Sequence, residues 1–193
     1  VGSEMCIRDS YILELHEGTP LAARVATGHL VLPPDARTEG IYLSVVDHLD
    51  RRGFPQYEVS NFARPGAESR HNRNYWRGRP WLGLGPGAHG FWGRRRYANH
   101  ADPGAWHRDL EAGRVPEAAV DPLDRSARLL ERWILELRTA EGMALDSFPV
   151  EAFDLDRGRS EGLWKVRSGR LVLTPRGFLQ IDTIEDRLAR LTP

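Results

Sequence analysis

The chain has 193 residues, of which 40% are hydrophobic and 28% are charged, and its formal net charge is zero. This composition excludes a disordered tail and a membrane-spanning protein, since no stretch approaches the ~18–20 apolar residues that a spanning helix needs. The only cysteine, Cys6, excludes an internal disulfide and any cluster held by several thiolates of this chain. Because no signal-peptide pattern is present, the sequence predicts a cytoplasmic protein.

The apolar pattern in the first 60 residues predicts four elements. They are a strand at 11–15, a helix at 19–28, a longer helix at 38–52 and a strand at 56–60. This order is typical of the end of a layered or barrel-like α/β domain. Two strands cannot complete such a sheet, so we expect the N-terminal part of the domain to be missing.

Composition also predicts where the chain divides. Residues 1–10 have no periodicity and are predicted to be a non-native scar, so no function is expected for Cys6. Residues 11–111 are predicted to form the α/β portion, residues 112–120 a linker, and residues 121–193 a second domain.

The second domain has clearer helical signals. A helix is predicted from 121 to 142 and a short one at 150–154, and the dipeptide Ser168-Gly169 predicts a hairpin between two apolar runs. Thr174 is expected to cap a last helix. The apolar face of that helix consists of Phe178, Ile181, Ile184, Leu188 and Leu191. Helix, helix, hairpin and helix in this order are typical of a winged-helix domain.

Positive charge and aromatic residues are concentrated in the middle of the chain. Residues 64–108 contain nine arginines against Glu68 and Asp102, together with four of the six tryptophans and four of the seven histidines. Arginine and aromatic side chains together are suited to a flat anionic ligand. The alternative is a solvated loop whose arginines pair with acidic residues elsewhere in the chain.

The motif H-N-x-x-Y-W at 71–76 lies inside this block. A neutral imidazole such as that of His71 is a common ligand of transition metals and of haem iron. Tyr75 and Trp76 are suited to stacking on a flat ring, and neighbouring arginines can pair with carboxylates; these are Arg70, Arg73 and Arg77. From the residue types alone, an iron ligand and a hydrogen-bonded structural histidine both stay open.

The segment GLGPGAHG at 83–90 contains the spacing G-x-G-x-x-G, but it does not predict a dinucleotide site. Arg79-Pro80 precede it and FWGRRR follows it, where such a site needs a strand and a helix. Its glycines instead suggest close approach of a ligand to the backbone, with His89 directed into the site.

A run of arginines at 94–96, beside a winged helix, is compatible with nucleic-acid binding. The expected recognition segment at 151–156 is acidic, however, and would repel phosphates. No nucleic-acid partner is therefore predicted.

Three segments carry a resemblance to a known family. They are YEVSNFARPG at 57–66, SRHNRNYW at 69–76 and WLGLGPGAHG at 81–90, within a span of about 34 residues that is nearly in register, with Trp81 where tyrosine is usual. The chain resembles the HemW proteins, radical S-adenosylmethionine (SAM) proteins similar to oxygen-independent coproporphyrinogen III oxidase. Looser agreement covers residues 11–193, the second half of a family member.

The resemblance implies an α/β fold class, the C-terminal part of a radical SAM partial (β/α) barrel followed by a small winged-helix-like α+β domain. It implies a haem-binding haem chaperone that transfers haem to acceptor proteins, membrane-associated ones included. In the family the H-N-x-x-Y-W motif is associated with haem. It falls here on His71, Asn72, Tyr75 and Trp76, with His71 as the implied axial ligand of the iron.

The resemblance also implies cofactors that this sequence cannot hold by itself. In relatives the Gly-rich segment ends the last barrel strand close to SAM, which implicates Ala88 and His89. The three-cysteine motif that ligates the [4Fe–4S] cluster is absent with the N-terminal half. The cluster and SAM are therefore expected only in a full-length parent.

Three functions stay open at this point. The leading hypothesis is haem binding and transfer, with His71 at the mouth of an open, arginine-lined aromatic cavity. The second is oxidative decarboxylation of a porphyrinogen by the full-length parent; whether the protein is an enzyme stays open, and this fragment is expected to be inactive. The third is a protein-interaction module formed by the winged-helix domain.

Overall fold

The computed structural model describes residues 6–93, 95–146, 148 and 154–190. Up to residue 111 its elements are, in chain order, β1 (Ile7–Asp9), α1 (Pro20–Ala26), α2 (Asp35–Arg51), β2 (Asn61–Ala63), α3 (Arg70–Trp76), β3 (His89–Trp92), β4 (Arg95–Asn99) and α4 (Pro103–Glu111). The remaining elements are β5 (Glu117–Pro122), α5 (Arg125–Leu137), β6 (Met143–Ala144), α6 (Leu155–Ser160), β7 (Trp164–Arg167), β8 (Arg170–Leu173), α7 (Pro175–Leu179) and α8 (Ile181–Ala189).

The strands form three small antiparallel sheets rather than one large one. Their strand orders are β1-β2, β3-β4-β5 and β6-β8-β7, and no barrel closes among the described residues. Helices and strands are interspersed along the chain, so the mixed α/β class that the sequence predicts is confirmed.

The N-terminal part has a small core under α2. Tyr42 and Val46 of α2 are buried together with Phe54 and Phe62. The strand predicted at 11–15 is wrong: this segment has no regular structure and its apolar side chains are largely exposed. The pattern of apolar residues at 11–15 predicts a strand, but no described strand pairs with this segment. Its backbone groups are therefore left to hydrogen-bond with water.

One strand of the two-stranded sheet in the N-terminal part lies close to the start of the chain. Strand β1 pairs with β2, and Ile7 lies opposite Ala63. Residues 7–9 belong to the segment predicted to be a scar. That origin stays a prediction, but the segment takes part in the pairing.

Side chains cap most of the described helices, and two helix starts differ from the prediction: α2 begins at Asp35 where a start at 38 is predicted, and α5 is shifted as well. The Thr19 hydroxyl accepts a hydrogen bond from the Ala22 amide at 3.2 Å, and this confirms the predicted start of α1. Helix α5 was expected to begin after Asp121, but it begins after Asp124, whose carboxylate caps the Ala127 amide at 2.7 Å. Residues 117–122 are instead in β5, which extends into the predicted linker at 112–120 and pairs with β4.

The larger core lies in the C-terminal part. Helix α5, the hairpin β7-β8 and the last two helices bury one apolar cluster, formed by Trp133, Leu137, Met143, Phe148, Leu163, Trp164, Leu171, Leu173, Phe178, Ile181, Ile184 and Leu188. The hairpin turn is the predicted one, since Ser168 and Gly169 both have positive φ, at 48° and 72°. The predicted last helix is interrupted at Gln180, so it forms the two helices α7 and α8.

The predicted helix at 150–154 and the face residue Leu191 lie outside the described residues, except for Asp154, which caps α6. Within the described ranges, no helix has the length and apolar content that crossing a bilayer requires.

We predict opposite stability effects for the same substitution at two helical glycines. A Cβ on Gly158 would overlap the ring of the buried Trp164, so Gly158→Ala should lower the free energy of unfolding by about 1–3 kcal/mol. A Cβ on Gly40 of α2 meets no atom within 4 Å, so Gly40→Ala should raise it by about 0.5–1 kcal/mol. Urea unfolding followed by circular dichroism measures both. A Gly158→Ala protein as stable as the wild type would contradict the close packing of α6 on Trp164.

Candidate functional site

The H-N-x-x-Y-W motif forms a short helix, α3, which is not among the helices predicted from the sequence. The Ser69 hydroxyl accepts a hydrogen bond from the Asn72 amide at 3.2 Å and so caps the helix. Serine is a preferred N-cap residue, so Ser69 was an available signal for the start of this helix.

His71 and Tyr75 lie one turn apart on the outer side of α3. Their rings meet edge to face, with centroids 4.7 Å apart. The edge contacts continue from Tyr75 to Trp81 at 4.7 Å and from Trp81 to Phe91 at 5.4 Å. The His71 side chain is exposed, and none of the hydrogen bonds or ion pairs found among the described residues involves its ring. Its nitrogens are therefore available to a ligand.

Two cavities flank α3 on its other sides. The first, which we call the α3–α5 cleft, has a volume of about 530 Å³ and lies between Arg73, Trp76 and Arg77 of α3 and the facing side of α5. The second, the Glu58 cavity, has a volume of about 740 Å³ and is lined by Glu58, Asn72, Tyr75 and Trp76 among others. Trp76 therefore lies between the two cavities.

His71 lines neither cavity, and this differs from the expectation that it opens onto an arginine-lined aromatic pocket. The reason is helical geometry. Successive residues of a helix are rotated by about 100°, so His71 and Arg73 point in nearly opposite directions. The arginine-lined cleft and the histidine are on different sides of the same helix.

The arginines near the motif differ in whether they form ion pairs. Arg73 and Arg77 both pair with Glu141, the latter at 3.3 Å, and Arg73 also pairs with Glu68 at 3.5 Å. The alternative interpretation, in which arginines of the basic block pair with acidic residues elsewhere, therefore applies to these two. Arg70 is exposed, and no ion pair is found for it among the described residues.

The Gly-rich segment packs against its own sheet instead of exposing a free backbone. A Cβ on Gly90 would overlap the Tyr97 ring, and the Tyr97 hydroxyl accepts a hydrogen bond from the Gly83 amide at 3.0 Å. The Asn99 side chain donates to the carbonyl oxygens of Gly83 and Gly85 at 3.2 and 2.9 Å. The space beside these glycines, where a ligand was expected to approach the backbone, is thus filled by residues of the protein itself.

Ala88 and His89, the two residues implicated near SAM, lie at this sheet and not beside α3. His89 begins β3 opposite Ala98 and is exposed, whereas Ala88 is half-buried. Neither residue lines the α3–α5 cleft or the Glu58 cavity. The structure therefore brings His71, Asn72, Tyr75 and Trp76 together on one helix and leaves Ala88 and His89 apart from them.

Sequence reasoning did not single out Glu58, which is the most deeply buried acidic residue among those described, at 1% exposure. Its carboxylate accepts hydrogen bonds from the Asn61 side chain and from the Ser60 amide, the latter at 3.3 Å. Burial raises its pKa, while hydrogen bonds from Asn61, Ser60 and Asn72 act in the opposite direction. The alternating pattern at 56–60 placed Glu58 on the same face as Gln56 and Ser60. This placement was the available sequence signal for Glu58.

The residues present do not fit an iron–sulfur cluster. Such a cluster needs several thiolate ligands, and the sequence contains Cys6 alone. Among the described residues, no group of three histidine, cysteine, aspartate or glutamate side chains is placed to hold a metal ion.

We predict that Glu58 and Glu141 affect the pH dependence of stability with opposite signs. The raised pKa of Glu58 means that the folded chain binds this proton more tightly, so the free energy of unfolding falls as the pH rises from 4.5 through the folded value. Glu58→Gln should remove this fall. Urea unfolding between about pH 4 and about pH 8 measures it.

Glu141→Gln is the matched control. The hydrogen bond from Arg73 lowers the pKa of Glu141, so its contribution is present above 4.5 and is lost as the pH falls through the folded value. Glu141 is half-exposed, so its removal should cost at most about 1 kcal/mol at neutral pH. Parallel pH profiles for Glu58→Gln and the wild type would show that Glu58 titrates normally.

Comparisons with known proteins agree with this fold. The chain is 38% identical over 178 residues to "Heme chaperone HemW" of Mycobacterium tuberculosis, a match that covers 91% of this chain and 45% of the relative. It is 35% identical over 188 residues to "Radical S-adenosyl methionine domain-containing protein 1, mitochondrial" of Danio rerio, covering 87% of this chain and 41% of that protein. No family model matches the sequence.

A solved structure shows the same fold. It is titled "Coproporphyrinogen III oxidase (HemN) from Escherichia coli is a Radical SAM enzyme", and the TM-score is 0.62 at 17% identity over 83% of this chain and 42% of that one. This similarity confirms the predicted fold class. The chain spans less than half the length of the curated relatives reported above. It belongs to the HemW-like radical SAM proteins and corresponds to the C-terminal half of their fold.

Proposed function

We propose that this chain is the haem-binding part of a haem chaperone, with His71 as an axial ligand of the haem iron. The observation that carries the proposal is the His71 imidazole, which is exposed on α3 and is found in no hydrogen bond or ion pair among the described residues. A neutral imidazole with a free ring nitrogen is a frequent axial ligand of haem. The names of the relatives, which include heme chaperones from several bacteria, support the same ligand.

The four motif residues then have two different tasks. His71 provides the iron ligand, and the edge-to-face contact with Tyr75 limits the orientations of its ring. Asn72 faces Glu58, and the Arg138 guanidinium lies over the Trp76 ring at 6.0 Å from its centre. Asn72 and Trp76 are therefore positioning residues, which hold α3 against the rest of the protein.

An exposed ligand also suits transfer of haem to an acceptor. A haem held by one histidine at the surface keeps its second axial position open, so an acceptor protein can bind the iron before His71 releases it. Arg70, which precedes His71 and is exposed, is the nearest candidate partner for a haem propionate. We propose haem-acceptor proteins, including membrane-associated ones, as the partners and the cytoplasm as the compartment, in keeping with the single cysteine.

Radical SAM chemistry would depend on residues outside this chain. The one cysteine cannot ligate a [4Fe–4S] cluster, and the structural match at 17% identity shows the fold alone. We therefore propose the cluster and SAM for the longer relatives, and haem binding for this chain. Porphyrinogen decarboxylation gains no support from a described residue.

We predict that adding haem to the chain produces a shifted Soret band with the features of histidine ligation. His71→Ala should abolish these features and weaken haem binding by at least about tenfold, because the iron loses its protein ligand. Absorption spectroscopy during haem titration measures both quantities.

His89→Ala is the matched control, since His89 is also exposed but lies on β3, away from α3. Its spectrum and affinity should equal those of the wild type. Identical spectra for His71→Ala and the wild type would eliminate His71 as the ligand.

A further inference from the structure

The α3–α5 cleft contains a concentration of functional groups that iron ligation by His71 does not use. Its volume of about 530 Å³ is within the range of sites that bury small organic molecules. One wall is the side of α3 opposite His71. The other is a stripe of α5 formed by Arg128, Glu131, Arg132 and Leu135, which recur at helical spacing on the face away from the buried Trp133.

The cleft is positively charged. Five arginines and three glutamates line it, which leaves a net formal charge of +2; the arginines are Arg73, Arg77, Arg128, Arg132 and Arg170. Glu141 is shared by Arg73 and Arg77, and Glu136 is shared by Arg132, at 2.8 Å, and Arg170, at 3.4 Å. Each shared carboxylate neutralises only one of its two arginines, and Glu68 pairs with Arg73 from outside the cleft at 3.5 Å.

Arg128 is the arginine of the cleft with the greatest freedom to bind a ligand. Its Nε donates to the Asp124 carbonyl oxygen at 3.1 Å, and it forms no ion pair with any carboxylate of the described residues. The third glutamate of the cleft, Glu131, pairs with Arg96 from outside it. Guanidinium groups with spare donors favour carboxylates, which they bind through two parallel hydrogen bonds.

The remaining lining of the cleft is aromatic, and the Trp81 and Phe91 rings are inclined to each other by 44°. Trp81 and Phe91 exchange two backbone hydrogen bonds, at 2.9 and 3.0 Å, so their rings lie side by side on a rigid bridge. Trp76 adds a third ring, and its indole Nε1 is buried without an acceptor among the described residues. An indole N–H in such a place is normally satisfied by a hydrogen-bond acceptor.

We propose that the α3–α5 cleft is a second ligand site, which takes a flat aromatic molecule with two carboxylates and binds it without iron ligation. The ligand class that we assign, a porphyrin with its two propionates, rests on the proposed function; the cleft itself does not depend on it. Aromatic rings contact the macrocycle, and Arg128 and Arg132 pair with the propionates. His71 takes no part, because it faces away from the cleft.

Metal-free protoporphyrin IX is the probe, since it has both propionates and no iron for His71 to bind. Porphyrin fluorescence anisotropy should show saturable binding to the wild-type chain. Arg128→Gln and the double variant Arg128→Gln/Arg132→Gln should raise the Kd by about tenfold or more, because each removes a charged hydrogen-bond donor. The dimethyl ester of the porphyrin should bind the wild type more weakly by a similar factor.

Two controls separate this site from the site at His71. Arg125→Gln removes an exposed arginine of the same helix that does not line the cleft, and should leave the Kd unchanged. His71→Ala should also leave the Kd for metal-free porphyrin unchanged. Thermal unfolding of each variant verifies that it is folded, and the single variant Arg128→Gln leaves every ion pair of the cleft in place.

The outcomes are distinct. Absence of binding by the metal-free porphyrin, equal effects of Arg125→Gln and Arg128→Gln, or undiminished binding of the dimethyl ester would each overturn the second site. If histidine-ligated haem is still observed in that case, the proposed function stands and only this inference fails. Loss of metal-free porphyrin binding in His71→Ala would show one site instead of two.

Discussion

The arrangement of both cavities depends on a short antiparallel contact between residues 57–59 and residues 138–140. The Val59 amide donates to the Arg138 carbonyl oxygen at 2.9 Å, and the Ala140 amide donates to the Tyr57 carbonyl oxygen at 3.0 Å. Glu58 is buried at this contact, opposite Thr139. These bonds join the N-terminal part to the segment that follows α5, and so they help to hold the walls of both cavities at a fixed distance.

The same contact gives α3 its place. Glu58 engages Asn72 from one side, while Glu141, just beyond the contact, pairs with Arg73 and Arg77 from the other. A seven-residue helix is too short to be stable by itself, so tertiary anchors must hold it. Helical geometry then divides the motif between two sides of α3. His71 is exposed on the outer side, whereas Asn72, Tyr75 and Trp76 line the Glu58 cavity.

The ion pairs in the structure change the interpretation of the charge distribution along the chain. The basic middle of the chain suggested a continuous anionic-ligand surface, but Arg73, Arg77, Arg95 and Arg96 all pair with glutamates. Three of these four arginines pair with glutamates that lie after residue 130, so these ion pairs link the basic block to the C-terminal part. Part of the positive charge without an ion pair lines the α3–α5 cleft, where α5 provides Arg128.

The sequence by itself determined those features that depend on local interactions, namely turns and helix caps. The hairpin turn at Ser168-Gly169 and the caps at Thr19 and Thr174 appear as predicted, because each depends on residues within a few positions of one another. The family resemblance was likewise present in the linear order of three segments. Only the tertiary structure decided the position of β5, the lack of a strand at 11–15, the burial of Glu58 and the separation of His71 from the arginine-lined cleft. The first three depend on contacts between residues far apart in the chain, and no local pattern encodes which surfaces will meet. The separation of His71 from the cleft follows from helical rotation once α3 packs against α5.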